Sequence, residues 1–225
     1  MRLLPSLFLG AFLLLICGCS AVPFADTRLV PAIPASAGEL TSELWQSGQG
    51  TVLIRQSALF EFHGMRVPLV GIMKLDLAKK SARLVGMNDM GVKFYDLSVE
   101  RNSSTAHFVI PELARYPGFA EAVATSVRRI FLDPEPEPDD SFITASDTYR
   151  FCRTKDGQAI RFVIGGADRQ LLEKTSSGAR ESWRVRYYQY QRFEGNLLPA
   201  GVVLDDDKAD YRLTLWIESV EKSDE

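Results

Sequence analysis

Thr51-Val52-Leu53-Ile54-Arg55-Gln56-Ser57-Ala58-Leu59-Phe60-Glu61-Phe62-His63 is the stretch that decides the fold. Val52, Ile54, Ala58, Phe60 and Phe62 share one side, while Thr51, Arg55, Ser57, Glu61 and His63 take the other. A period of two with one apolar and one wet face marks a strand of an antiparallel sheet. The same reading predicts strands at Met65–Leu77, Ala82–Met87, Val92–Val99 and Thr105–Ile110, with turns at Lys79-Lys80-Ser81, Asn88-Asp89-Met90-Gly91 and Asn102-Ser103-Ser104. Pro68 marks an edge or a bulge. Then the period changes. Phe119, Ala120, Val123, Val127, Ile130 and Phe131 recur at helical spacing between Pro117-Gly118 and Asp133-Pro134, which predicts one amphipathic helix. After the polar connector Pro134–Pro138, six more strands are expected: Asp147–Arg153, Gln158–Ile164, Arg169–Lys174, Ser182–Phe193, Ala200–Leu204 and Ala209–Val220. The fold class is mainly β, a curved antiparallel sheet of about eleven strands with a helix over its apolar face.

Upstream of this domain the chain reads as an address. Arg2 precedes fourteen almost wholly apolar residues, Leu3–Ile16, too short to span a bilayer comfortably as a permanent helix. The run ends in Ile16-Cys17-Gly18-Cys19-Ser20, which resembles the lipobox of bacterial lipoproteins: aliphatic, small, then an obligatory cysteine. The resemblance implies a signal peptide over 1–18, lipidation at Cys19 with palmitate-type acyl chains, and, with Ser20 rather than Asp following, the periplasmic face of the outer membrane. Each buried methylene contributes about 0.8 kcal/mol, so two or three chains anchor stably where one does not. Residues 19–44, carrying Pro23, Pro31 and Pro34 among small residues, are expected as a flexible tether with a short turn at Leu40–Trp45. The domain follows at 45–225.

Composition narrows the function classes. Removing residues 1–18 leaves 207 residues, enough for one domain, and takes the formal charge from −3 to −4. No basic cluster is present, so a nucleic-acid partner is not expected. With Cys17 cleaved and Cys19 lipidated, Cys152 has no disulfide partner and reads as a strand residue. His63 and His107 have no ligand-spaced partners. Asp205-Asp206-Asp207 lacks the alternating donors of a calcium loop and reads as a solvated turn. Glu135, Glu137, Asp139 and Asp140 lie on a Pro-rich loop expected to be too mobile for acid–base work. Arg184, Arg186 and Arg192 share a strand face with Tyr188 and Tyr190, suited to a headgroup or to solvent alike. No nucleophile–base pair can be assembled, so no enzyme, metal site or cofactor is expected, and a monomer is.

Lipobox, tether, five-stranded meander, amphipathic helix and six returning strands together resemble the LolA/LolB superfamily, and within it a LolB-like lipoprotein family without assigned function. Two local matches carry the likeness. Asn88-Asp89-Met90-Gly91 resembles the receptor's Asn-Pro-Leu-Gly turn, with Met90 in place of the protruding Leu and Asp89 in place of Pro. Trp183-Arg184-Val185-Arg186-Tyr187, Leu198-Pro199 and Tyr211-Arg212-Leu213-Thr214-Leu215 follow the final strands. The resemblance implies an incomplete barrel whose concave face, lidded by a helix, takes a lipid or the acyl chains of a lipoprotein. Ile54, Phe60, Phe62, Phe108, Phe151, Phe162, Tyr187, Leu213 and Leu215 would line that face, with Phe119, Val123 and Val127 as the lid and Met90 as a membrane-transfer loop. Alternation alone fits equally a filled core, which would make the protein a structural or interaction lipoprotein of an envelope assembly.

Overall fold

The structure is a computed structural model that describes residues 22–223, so the lipobox and Cys19 lie outside the described residues. One antiparallel sheet carries everything else. Its strands are β1 (Thr51–Phe62), β2 (Met65–Asp76), β3 (Ser81–Met87), β4 (Lys93–Val99), β5 (Ser104–Val109), β6 (Ser141–Thr144), β7 (Thr148–Lys155), β8 (Gln158–Gly165), β9 (Gln170–Ser177), β10 (Ser182–Phe193), β11 (Asn196–Asp206) and β12 (Tyr211–Lys222). The order β5-β4-β3-β2-β1-β12-β11-β10-β9-β8-β7-β6 places the first and last strands side by side at the centre. The chain starts there, steps out to one edge, crosses the apolar face as helix, and steps back from the other edge. β5 and β6 do not meet, so the barrel is incomplete.

The twelfth strand is β6, which the alternation did not show. Four residues give too short a run to display a period; Ser141, Phe142, Ile143 and Thr144 pair with Cys152 through Tyr149, and Phe142 packs on the Phe151 ring at 4.9 Å. The expected helix is α3 (Phe119–Val127), continued by a wider π-helical turn at Arg128–Leu132. It follows a single turn, α2 (Pro111–Ala114). Ile130, Phe131 and Leu132 of the π turn are buried among Leu97, Phe151, Tyr187 and Leu215 in one apolar cluster between helix and sheet.

The tether expectation changes from residue 22 onward. Phe24 is wedged on the convex face, 5.5 Å from the Tyr188 ring and 5.6 Å from Trp216. Thr27 and Leu29 lie against Gly166 and Gly165. Ala32 donates its amide to the Ser146 carbonyl at 2.9 Å, and Ile33 donates to the Tyr149 hydroxyl at 3.0 Å. The strap then ends in α1 (Ala37–Glu43) rather than a mere turn. Ser36 and Glu39 form a reciprocal capping box, the Ser36 hydroxyl accepting from the Glu39 amide and the Glu39 carboxylate from the Ser36 amide at 2.7 Å. Leu40 and Leu44 are buried, and Trp45 packs edge-on against Phe131 at 6.2 Å and Tyr187 at 6.4 Å. Residues 22–44 are therefore laid along the domain.

Candidate functional site: the concave face

The concave face divides into two zones along the strands. In the deep zone Ile54, Phe151, Phe162, Tyr187 and Leu215 are buried with Met73, Leu75, Leu97 and Val127 in a continuous packed layer. The Tyr187 hydroxyl donates to the Ile130 carbonyl at 2.7 Å, fastening the π turn to the sheet. The shallow zone lies toward the β1–β2 turn. There Phe60 and Phe62 are half-buried and stack on one another at 6.2 Å, and Phe60 meets Tyr211 at 5.4 Å. Register pairs Phe60 with Val67 and Leu213, and Phe62 with Met65 and Tyr211, so all share the inner side. Met65 is 57 % and Val67 39 % exposed. Phe119 and Val123 of α3 are half-buried above, Phe119 edge-on to Tyr95 at 5.6 Å, and a Ser126–Tyr211 hydroxyl pair at 2.8 Å ties the helix to β12. These side chains form an apolar, partly exposed surface on the inner side at the tips of β1, β2 and β12, the mouth of the concave face.

Phe108 is a correction. It was expected inside but is 40 % exposed on the convex face, with the Lys93 ammonium 5.0 Å from its ring centre. A bulge between Asp96 and Leu97 in the β4–β5 pairing shifts the parity, so Phe108 pairs with outward Asp96 and Val109 with inward Tyr95. Asp96 itself takes a bidentate pair from Arg83 at 3.0 and 3.1 Å, which holds its carboxyl below the usual carboxylate range. Tyr190 departs from its expected face for a similar reason. Gln189 adopts φ 51°, and Tyr190 turns onto the core, donating to the Leu171 carbonyl at 2.6 Å.

Met90 sits at the β3–β4 tip and is 80 % exposed. The Asn88 side-chain oxygen accepts from the Met90 and Val92 amides at 3.1 and 2.8 Å, so a polar frame holds the turn. The acidic connector is tied to the domain by ion pairs. Lys80 pairs with Glu135 at 2.7 Å, and Arg153 reaches the Glu135 carbonyl at 2.7 Å, Glu137 at 2.6 Å and Asp140 at 3.3 Å. The Asp205–Asp207 turn is not simply solvated. Asp205 takes Arg186 at 3.0 Å and Arg212 at 2.6 Å, while Asp206 holds buried Arg129 and caps the turn through the Lys208 and Ala209 amides. His63 pairs with Asp210 at 3.3 Å and His107 with Ser98 at 2.7 Å. Cys152 is half-buried on β7. Among the described residues no three His, Cys, Asp or Glu are grouped to hold a metal ion, and no helix is long and apolar enough to cross a membrane.

One buried group carries no sequence signal. Lys174 is fully buried on the inner side of β9, opposite Phe162, its ammonium 3.1 Å from the Pro134 carbonyl and 5.9 Å from the centre of the Tyr187 ring. Burial pulls its pKa down to about 7, with Glu135 and Asp133 drawing it back up and Lys80 opposing them. A lysine among strand residues looks like any outward charge; a bulge between Val163 and Ile164 in the β8–β9 pairing lets Leu171 and Lys174 both face inward.

No protein-family model matches the sequence, and no curated protein does. Solved structures do resemble it. A LolA superfamily protein from Nitrosomonas europaea superposes with a TM-score of 0.55 at 8 % identity, covering 85 % of this chain and 96 % of that one. A protein described as an outer membrane lipoprotein-sorting domain, from Vibrio parahaemolyticus, gives 0.55 at 9 % identity, covering 83 % and 90 %. The open twelve-stranded sheet with short helices on its apolar face is a LolA-like fold.

Proposed function

We propose that the protein is a LolB-like lipoprotein, anchored through acylated Cys19 to the periplasmic face of the outer membrane, that holds a hydrophobic guest in its concave mouth. The guest is a lipid or the acyl chains of a lipoprotein, and the role is one of handling rather than catalysis. The observation that carries this reading is the mouth itself. Phe60, Phe62, Met65 and Val67 face inward yet stand outside the packed core, under a lid edge formed by Phe119 and Val123. Soluble proteins bury such a continuous apolar face unless something else covers it. The LolA-like fold of a lipoprotein-sorting domain supports the same assignment.

The filled deep zone favours a second reading, an interaction lipoprotein of an envelope assembly with no guest. Mass spectrometry of lipids co-purifying with the Cys19→Ala form separates the two. A hydrophobic guest that is lost in Phe60→Glu, with the melting temperature kept, supports the carrier. An empty protein that also fails to bind a fluorescent fatty acid supports the second reading.

A further inference from the structure

The N-terminal strap follows a defined path over the domain. Followed backward from α1, it lies on Tyr149, then on Gly165 and Gly166 at the rim holding the β8–β9 turn, then reaches mid-sheet with Phe24. Phe24 seats in a position prepared for it: a Cβ on Gly201 would lie 2.6 Å from the Phe24 ring. Pro23 and Val22 continue in the same direction, over a cleft of about 130 Å³ whose far wall is formed by Glu61, Arg66 and Arg212. Those residues belong to the other rim, the one with the β1–β2 and β11–β12 turns, and that rim bounds the apolar mouth.

Three peptide steps lead from Val22 back to Cys19, a reach of about 10 Å at full extension. β11, which carries Gly201 near its middle, is about 36 Å long. Val22 and Pro23 already lie on the mouth side of Gly201, so an anchor leaving Val22 can bring the mouth rim to the bilayer; the opposite rim, with the β10–β11 turn, is about 17 Å away from Gly201 alone and lies beyond that reach. We infer that Phe24 is a positioning plug which presents the concave mouth to the bilayer carrying the Cys19 acyl chains, so a guest passes between mouth and membrane without crossing water. This rests on the anchored-carrier reading above. The partner surface is the lipid bilayer itself.

The test uses the full-length lipidated protein with Cys152→Ser, reconstituted in phosphatidylethanolamine–phosphatidylglycerol vesicles with brominated chains. A bimane label is placed at Lys208→Cys on the mouth rim or at Asn196→Cys at the other end of β11; both are exposed. Bromine should quench the Lys208→Cys label at least fivefold more than the Asn196→Cys label, and Phe24→Ala should bring the two within twofold. Equal quenching in vesicle-bound lipidated protein, or a preference for Asn196→Cys, overturns the orientation while leaving the anchor intact. An unchanged preference in Phe24→Ala overturns the role of the plug. Unacylated Cys19 by intact-mass measurement, or protein that does not float with the vesicles, overturns the anchor and this inference with it.

Discussion

Replacing Lys174 with Met should stabilise the protein near neutral pH and flatten its stability between pH 7.5 and 9.5. Lys174 is fully buried, and burial lowers its pKa from 10.5 to about 7. Between those values the unfolded chain holds a proton that the folded protein does not, so stability rises with pH across that window. Below pH 7 both states are charged and the whole penalty is present; above 10.5 neither is. The slope approaches 1.4 kcal/mol per pH unit, or about 2–3 kcal/mol from pH 7.5 to 9.5. The other shifted groups, the buried tyrosines among them, are common to both proteins and cancel in the comparison. Asp96 and Glu121 are lowered carboxylates, and Tyr95 is pushed up to about 12 by burial. Met fills a similar volume without an ammonium to desolvate, and leaves the Pro134 carbonyl without a donor, a loss of about 1 kcal/mol. Urea unfolding followed by tryptophan fluorescence at half-unit pH steps measures both curves. Parallel curves for the two proteins would refute the buried, half-neutral lysine.

Gly86→Ala should destabilise by about 2–3 kcal/mol in the same assay, because the new methyl would strike the ring of buried Tyr95 across the β3–β4 pair. Asp206→Asn keeps an oxygen to cap the Lys208 and Ala209 amides but leaves buried Arg129 with Glu181 alone at 3.0 Å, and should cost about 3 kcal/mol. Met90→Glu should leave the melting temperature within a degree, since the side chain is exposed; on the carrier reading it slows delivery of a bound fluorescent fatty acid to vesicles, and a large fall in melting temperature would mean that Met90 packs on its own domain.

The inner faces of β1 and of β12 from Tyr211 to Ile217 were legible because period two survives along them; beyond Ile217 the bulge opposite Arg55 and Gln56 shifts β12 and brings Val220 inward. Legibility failed where a single backbone irregularity reversed parity. The bulge opposite Phe108, the left-handed Gln189 before Tyr190 and the bulge beside Leu171 each move one side chain to the other face, and no residue type announces them. The strap was hidden for a different reason. Its hold comes from isolated plugs, Phe24 over Gly201, Thr27 against Gly166 and Ile33 on Tyr149, and contacts made one at a time leave no period to read.

Depth along a strand was beyond the reach of alternation for a geometric reason. Ile54 and Phe60 have the same parity on β1, yet one is fully buried and the other half-exposed. What separates them is cover. A twelve-residue strand runs for about 40 Å, whereas nine residues of α3 span about 14 Å and a helix is about 10 Å wide. Whichever way such a helix lies, it cannot roof the whole inner face. The π turn spends its apolar residues, Ile130, Phe131 and Leu132, on the deep zone beside Tyr187, and Trp45, two residues after α1, closes the same region. With those side chains spent on the deep zone, Phe60, Phe62, Met65 and Val67 at the tips of β1 and β2 stay partly exposed. The mouth is a consequence of lid length, which makes it a property of Phe119–Leu132 as much as of the aromatic residues that line it.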